Sequence, residues 1–490
     1  MESTSRSQKN ILVFAAFLPL ALSVALAGFL FLRATSIKCA SPEPLSKEEF
    51  YQLQENIRGR YPEQILRPLP YPLLPPEFDT NAKSAILINA ETGEVLFEKN
   101  ADAEIPPASM TKLFLIYGAL QKVREGKASL DDIIAIDERA IAAAMPPRSS
   151  LMFLGMGQIV TLRELLQGLS VASGNDAAHQ VAFALYGSME NFITETNALI
   201  NSLGLRKTRI VESSGYSEEN ITTAREMATF CKIYLEEFPY ALNEFHSMKK
   251  FTFPKEKNIP PEQRGRGRQN FSHGIPREIW TSFTLENTNK LLGALEGCDG
   301  IKTGHIDESG YNLALTTTRD GVRYISITMK GPGATFAEGD RMRCADGTLL
   351  HEWAHGAFCE VGFPQNEEFK VPLYGAKKKS VTLRAAFERK FSAPKNPIQT
   401  ENVIFAAAKQ PAEGDEIEDV RFEFFVPEFL FGKVECGAAY GKIVASQNGI
   451  ALAEIPLVAQ RGADEAGGFV RRCDALLLRF RARQPCASSK

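Results

Sequence analysis

The chain has 490 residues, 44% of them apolar, and carries 56 basic against 59 acidic side chains for a net charge of −3. That leaves room for two or three domains and a sizeable core, and it excludes a protein recruited to nucleic acid or to an anionic surface by bulk charge. Eight cysteines (Cys39, Cys231, Cys298, Cys344, Cys359, Cys436, Cys473 and Cys486) without a C-x-x-C pair exclude a zinc framework. In an exported chain Cys344 and Cys359 are one possible disulfide among connectivities that the spacing leaves open.

Ile11 to Leu32 is uninterrupted by charge and preceded by Arg6 and Lys9. As a helix it would be about 33 Å long, close to a bilayer core. Ala25-Leu26-Ala27 is also an acceptable cleavage site, so residues 1–40 read as either a removable signal peptide or a retained signal anchor. Both send the remainder out of the cytoplasm. Prolines then accumulate through residues 41–77 (Pro42, Pro44, Pro62, Pro68, Pro70, Pro72, Pro75, Pro76), which reads as an extended linker.

Residues 78–365 read as one catalytic domain. Ser84 to Lys99 alternates around Thr92-Gly93 and predicts a hairpin, and Met110 to Val123 is apolar on nearly every side, which predicts a buried helix. Thr161 to Leu203 predicts successive helices broken at Ser173-Gly174-Asn175, and Gly310 to Lys330 alternates around Arg319-Asp320-Gly321 as a second hairpin. A helical cluster beside an antiparallel sheet is an α+β pattern. Residues 366–462 change to short strand-like runs (Phe369 to Tyr374, Ser380 to Ala385, Asn402 to Ala407, Val420 to Val426, Gly441 to Ala445, Ala451 to Val458), which predicts a separate β domain. In the tail, residues 463–490, a helical projection puts Phe469, Cys473, Leu476, Leu477 and Phe480 on one face and Arg471, Arg472, Arg479, Arg481 and Arg483 around the rest, a basic amphipathic helix suited to an anionic lipid surface.

Three short motifs carry the chemistry. In Ser109-Met110-Thr111-Lys112 the spacing puts hydroxyl and amine on one helical face, so that Lys112 can take the proton of Ser109 and leave a nucleophilic alkoxide. That requires a neutral amine, hence burial and a neighbouring cation, for which Lys302 is the candidate. With Ser173-Gly174-Asn175 and Lys302-Thr303-Gly304, these make the S-x-x-K, S-x-N and K-T-G pattern of serine β-lactamases and penicillin-binding proteins.

The run from Ile88 to Lys112, with Glu91-Thr92-Gly93 between apolar segments and then Pro107-Ala108-Ser109-Met110-Thr111-Lys112, closely resembles the D-alanyl-D-alanine carboxypeptidases, the low-molecular-weight penicillin-binding proteins. So does Cys298-Asp299-Gly300-Ile301-Lys302-Thr303-Gly304-His305 followed by Ser309-Gly310-Tyr311-Asn312-Leu313. The resemblance covers about residues 80 to 484 and implies a catalytic domain of the serine β-lactamase and penicillin-binding fold followed by a small all-β domain. It implies a cofactor-free serine peptidase that removes the terminal D-alanine of the peptidoglycan pentapeptide stem and is acylated by β-lactams, on the bacterial cytoplasmic membrane and facing the periplasm or cell exterior. The roles it implies are Ser109 as nucleophile, Lys112 as base, Ser173 as proton donor to the leaving amine and Asn175 as a hydrogen-bonding partner of Lys112 and substrate. Lys302 and Thr303 would take the terminal carboxylate, Gly304 would let substrate lie on the strand edge, and the backbone amides of Ser109 and His305 would form the oxyanion hole. Two departures are Ile306, where threonine is usual, and Ser214-Gly215-Tyr216, in place of His-Gly-Leu or Asp-Gly-Leu.

Rival readings remain at this level. A β-lactamase shares the nucleophile but needs an acid for deacylation, for which Glu212, Glu218 and Glu219 are candidates. An inactive peptidoglycan-binding protein is the non-enzyme alternative. His351-Glu352-Trp353-Ala354-His355 satisfies H-E-x-x-H, but the projection puts His351, Glu352 and His355 on a solvated face, and no metal site is expected. Arg264 to Arg268 alternates arginine and glycine without stacking partners, so no nucleic-acid site is expected either. It falls in Pro254 to Thr281, an insertion relative to the family that is a candidate for contact with cell-wall polymer or a partner.

Overall fold

Strand β1 (Ser84–Asn89) is buried at every position. Alternation explains this: Ile86 and Ile88 enter a large helical core while Leu87 enters a second cluster with Leu350, Ala354 and Phe358, so both faces of the sheet are covered. In the computed structural model, which describes residues 65–395 apart from 72, 74 and 75, residues 420–481, and positions 23, 25–29 and 52, β1 pairs antiparallel with β2 (Glu94–Lys99). The turn between them closes through Gly93 N–H on the Asn89 carbonyl at 2.9 Å. Strands β3 (Cys298–Ile306), β4 (Gly310–Arg319) and β5 (Val322–Gly331) form an antiparallel meander, and β5 pairs with β1. The sheet order is Arg67–Pro68, β2, β1, β5, β4, β3. The strand bearing Lys302-Thr303-Gly304 is therefore an edge, with one side of its backbone open to pairing.

Five helices build the core on one face: α1 (Lys112–Arg124), α2 (Leu162–Val171), α3 (Asn175–Tyr186), α4 (Met189–Ser202) and α5 (Ala224–Glu237). α1 is buried from Lys112 through Leu120, as a helix apolar all round must be. α2 starts at a reciprocal cap, Thr161 accepting from Glu164 N–H while the Glu164 carboxylate accepts from Thr161 N–H.

On the opposite face lies α6 (Phe336–Ala357), where one expectation fails. His351 is fully buried, its ring nitrogens 2.7 Å from the Thr317 hydroxyl and 3.0 Å from that of Ser326, and His355 Nε2 lies 2.8 Å from the same Thr317 oxygen. The histidines dock the helix onto the sheet rather than facing solvent, and burial pushes them down to about 3 and about 4, which keeps both rings neutral. Glu352 is instead forked by Arg319. The Cys344 and Cys359 thiols are both free.

Pro254 to Thr281 is the connection of a two-stranded antiparallel ribbon, Lys250–Phe253 with Phe283–Glu286. It lies against the segment before α2: Met156 N–H reaches Arg277 O at 2.7 Å, Ile159 N–H reaches Asn258 O at 2.9 Å, and a Cβ on Gly155 would stand 2.5 Å from Ile279 N. Arg264, Arg266 and Arg268 are exposed.

These described residues fall into two compact units, 65–360 with 392–395, and 361–391 with 420–481. The second is a six-stranded sheet. Its strands are β6 (Phe369–Tyr374), β7 (Ser380–Ala385), β8 (Arg421–Phe425), β9 (Leu430–Phe431), β10 (Ala439–Gln447) and β11 (Ile450–Ala459), in the order β8-β10-β11-β7-β6-β9. The expected strand at Asn402 to Ala407 lies outside the described residues. Helix α7 (Gly468–Arg481) docks on this unit through buried Cys473 and Asp474, whose carboxylate accepts from Gly375 N–H at 2.7 Å. Phe469, Leu476 and Phe480 of its expected apolar face are exposed.

The apolar run Ile11 to Leu32 and the linker fall largely outside the described residues, among which no helix is long and apolar enough to cross a membrane.

Candidate active site

Ser109 sits in a single 3-10 turn, Ala108–Thr111, that runs directly into α1 at Lys112. The turn enters through Ala108 at φ +50°, a conformation that side chains resist, so its surroundings must enforce it. Two glycines do so. A Cβ on Gly215, itself at φ +78°, would lie 1.9 Å from Ala108 O, and one on Gly304 would lie 2.5 Å from Pro107 O and 3.3 Å from Ser109 N. Gly304 is thus glycine because the nucleophile's backbone presses on it, a reason nearer to hand than room for substrate. Asn312 adds a third clamp, donating from Nδ2 to Pro106 O at 3.0 Å.

Lys112 Nζ lies 2.9 Å from Ser109 Oγ and 2.8 Å from Asn175 Oδ1, and donates to the Ser214 carbonyl. Lys112 is fully buried whereas Ser109 is partly exposed. Burial pushes the amine down to about 7, against the pull of the Glu212 and Asp176 carboxylates. At neutral pH a large fraction of it is uncharged, as a base must be.

Ser173 occupies the three-residue break between α2 and α3 at φ +57°, and Asn175 opens α3. The break is held by Asp176, a fully buried carboxylate that accepts from the amides of Met152 at 2.8 Å, Leu154 at 2.9 Å and Ala177 at 2.9 Å. Asn175 is fixed on both sides, N–H on Ser150 O at 2.8 Å and Nδ2 on Ser149 Oγ at 3.2 Å. Lys302 reaches across from the sheet, its Nζ 3.0 Å from Ser173 Oγ and 3.0 Å from Thr303 O. Burial holds its pKa well below the ordinary lysine value, and the nearby Lys112 and Arg343 add to the effect. Lys112 thus disfavours charge on Lys302, whereas burial alone lowers Lys112, without the help from Lys302 that the sequence led one to expect. A carboxylate entering beside Lys302 would restore its proton. Thr303 Oγ1 is 2.7 Å from Thr288 Oγ1, and His305 is half-buried, its ring 4.2 Å from that of Tyr311.

Several residues of the site have no motif to announce them. Ser214, noticed in the sequence only as a departure, supplies the carbonyl that accepts from Lys112. Glu212 is spent on its own loop, its oxygens taken by Ser214 N–H and hydroxyl at 2.6 and 2.7 Å and by Asn220 Nδ2 at 2.6 Å, while Glu218 and Glu219 are exposed. His246 is buried beneath the Lys302 strand, 2.9 Å from Ser170 Oγ, 2.8 Å from Tyr234 OH and 3.2 Å from Ile301 O. An acidic residue opening a helix beside the S-x-N motif was the available signal for Asp176; nothing local marks His246.

A helical core that delivers a serine and a buried lysine to the open edge of an antiparallel sheet, facing a second lysine on that edge, defines a serine hydrolase of the penicillin-binding fold. The family model described as D-alanyl-D-alanine carboxypeptidase, peptidase S11, matches residues 73–333, and the chain belongs to that family. It is 29% identical over 392 residues to D-alanyl-D-alanine carboxypeptidase DacF of Bacillus subtilis, which covers 80% of this chain and 88% of that one. It is 28% identical over 407 residues to DacC of Escherichia coli, covering 82% and 88%. Penicillin binding protein 5 from Haemophilus influenzae superposes with a TM-score of 0.63 at 25% identity, covering 80% of this chain and 100% of that structure.

Proposed function

We propose that this protein is a serine D-Ala-D-Ala carboxypeptidase that trims the peptidoglycan pentapeptide stem through an acyl-enzyme on Ser109. The observation that carries the reading is the 2.9 Å approach of a fully buried Lys112 amine to the Ser109 hydroxyl. Lys112 takes the hydroxyl proton as Ser109 Oγ bonds to the carbonyl carbon of the penultimate D-alanine. The resulting oxyanion is received by the backbone N–H groups of Ser109 and His305. Lys302 and Thr303 hold the terminal carboxylate. Because Lys302 donates to Ser173 Oγ, the Ser173 hydroxyl hydrogen is left to point at the departing amine, which it protonates as the C–N bond breaks, and the proton that Lys112 took from Ser109 replaces it on Ser173, leaving Lys112 neutral. Water then attacks the ester, Lys112 takes its proton and returns it to Ser109 Oγ as the ester C–O bond breaks, and the shortened stem leaves.

A β-lactam acylates the same serine, and the binding of both oxygens of Glu212 within its loop favours slow deacylation over a β-lactamase. The catalytic unit works outside the cytoplasm, with the N-terminal segment and α7 at the membrane surface; the outward-facing Phe469, Leu476 and Phe480 support the second contact.

Labelling with fluorescent penicillin and D-alanine release from a pentapeptide, each for wild type and Ser109→Ala, test the reading. Both signals are expected in the wild type and neither in the variant, with EDTA changing nothing. Release that persists in the variant and disappears with EDTA overturns it.

A further inference from the structure

Arg148 and Asp307 stand on opposite walls of the cleft. Arg148 precedes Ser149 and Ser150, which fix Asn175 on the helical side, and Asp307 directly follows the end of β3 at Ile306 on the sheet side. Their charged groups meet at 3.6 Å although both side chains are largely exposed, 82% and 69%. Arg148 is also held at φ +67°, where a β-carbon is unfavourable and glycine would be at ease. An exposed ion pair at that distance contributes at most about 1 kcal/mol. Stability therefore does not account for an arginine in that conformation.

Resting on the mechanism above, the direction of the substrate follows from β3. The terminal carboxylate is at Lys302 and Thr303, and the reacting carbonyl is at the His305 amide. Moving from the carboxyl end upstream, the peptide advances along the strand in the direction 302 to 307, at about 3.3 Å per residue. The residue before the two D-alanines then comes level with positions 306 and 307, between Arg148 and Asp307. We infer that this pair reads the side chain of that residue and selects one ending in both an ammonium and a carboxylate, as 2,6-diaminopimelate does, over one ending in an ammonium alone, as lysine does. The guanidinium takes the carboxylate in a bidentate pair and Asp307 takes the ammonium. In the free enzyme each partner holds the other in place, so neither is left unpaired when the cleft is empty.

The test uses the full chain and three substrates: two pentapeptides that differ only in diaminopimelate against lysine at the third position, and a short N-acyl-D-Ala-D-Ala without that side chain. Wild type is expected to favour the diaminopimelate peptide in kcat/KM by about five- to tenfold, the scale of one partly exposed charge-assisted pair. Arg148→Gln and Arg148→Gly should both bring it down to the lysine level through KM. Asp307→Asn should weaken both pentapeptides. Short-substrate turnover and penicillin acylation should stay at wild-type rates in all three variants. Equal wild-type rates on the two pentapeptides, or a preference that survives Arg148→Gln, overturns the inference while leaving the carboxypeptidase intact. A wild type that neither turns over the short substrate nor takes penicillin overturns the underlying mechanism itself.

Discussion

Lys112 sits between opposing influences. Burial drives its pKa from an ordinary lysine value of 10.5 to about 7, and the Glu212 and Asp176 carboxylates stop it from falling further. The rate of penicillin acylation should therefore rise about tenfold per pH unit below pH 7 and level off above it, because only the neutral amine accepts the serine proton. A profile flat from pH 5 to 9 would exclude Lys112 as the base. Lys112→Arg, which keeps the charge but cannot lose it, should reduce acylation by about 10²–10⁴-fold across that range. The same shift links to stability with a definite sign. Between about 7 and 10.5 the unfolded chain holds the proton that the folded chain has released, so this group makes the fold more stable as pH rises through that window.

At the scale of elements, the turn Ala108–Thr111 is useful only while it is pinched between Gly304 and Gly215. Gly215→Ala places a methyl group 1.9 Å from Ala108 O in a conformation that already costs about 1 kcal/mol. It should abolish penicillin labelling, because Ser109 moves away from Lys112 before the fold is lost; labelling at the wild-type rate would show the pinch to be dispensable. Below the Lys302 strand, His246→Phe removes partners of Ser170, Tyr234 and Ile301 and should lower stability by about 2–4 kcal/mol, measured by denaturant unfolding. Acylation should slow with it if the histidine positions Lys302. These two positions mark the boundary of what sequence can tell. The α+β class, the hairpins and the three motifs were legible because strand alternation and motif spacing are local patterns. Gly215 against Ala108 and His246 against Ile301 are contacts between residues far apart in the chain, and no period records them. His351 and His355 misled for the related reason that a helical projection ranks residues by polarity, whereas Thr317 and Ser326 on the sheet give two polar rings a buried place to bond.

For the molecule as a whole, the net charge of −3 supplies no attraction to an anionic surface, so the proposed membrane contact rests on a local feature. Helix α7 has the right form. It is fixed to its own unit by Cys473 and by Asp474 on Gly375 N–H, while Phe469, at 65% exposure, and Phe480, at 66%, project outward beside exposed Arg472 and Arg479. Burying two phenylalanine side chains in an interface contributes about 1.5–3 kcal/mol each, and each nearby arginine about 1 kcal/mol on an anionic leaflet. Replacing Phe469, Leu476 and Phe480 together by serine in the full chain should therefore lower its partition onto phosphatidylglycerol vesicles by at least tenfold. D-alanine release from a soluble peptide should be unaffected, since none of the three lies in the catalytic unit. Partition unchanged by the substitutions would assign membrane contact to the N-terminal segment alone, and a loss seen equally on neutral vesicles would separate the apolar contribution from that of the arginines.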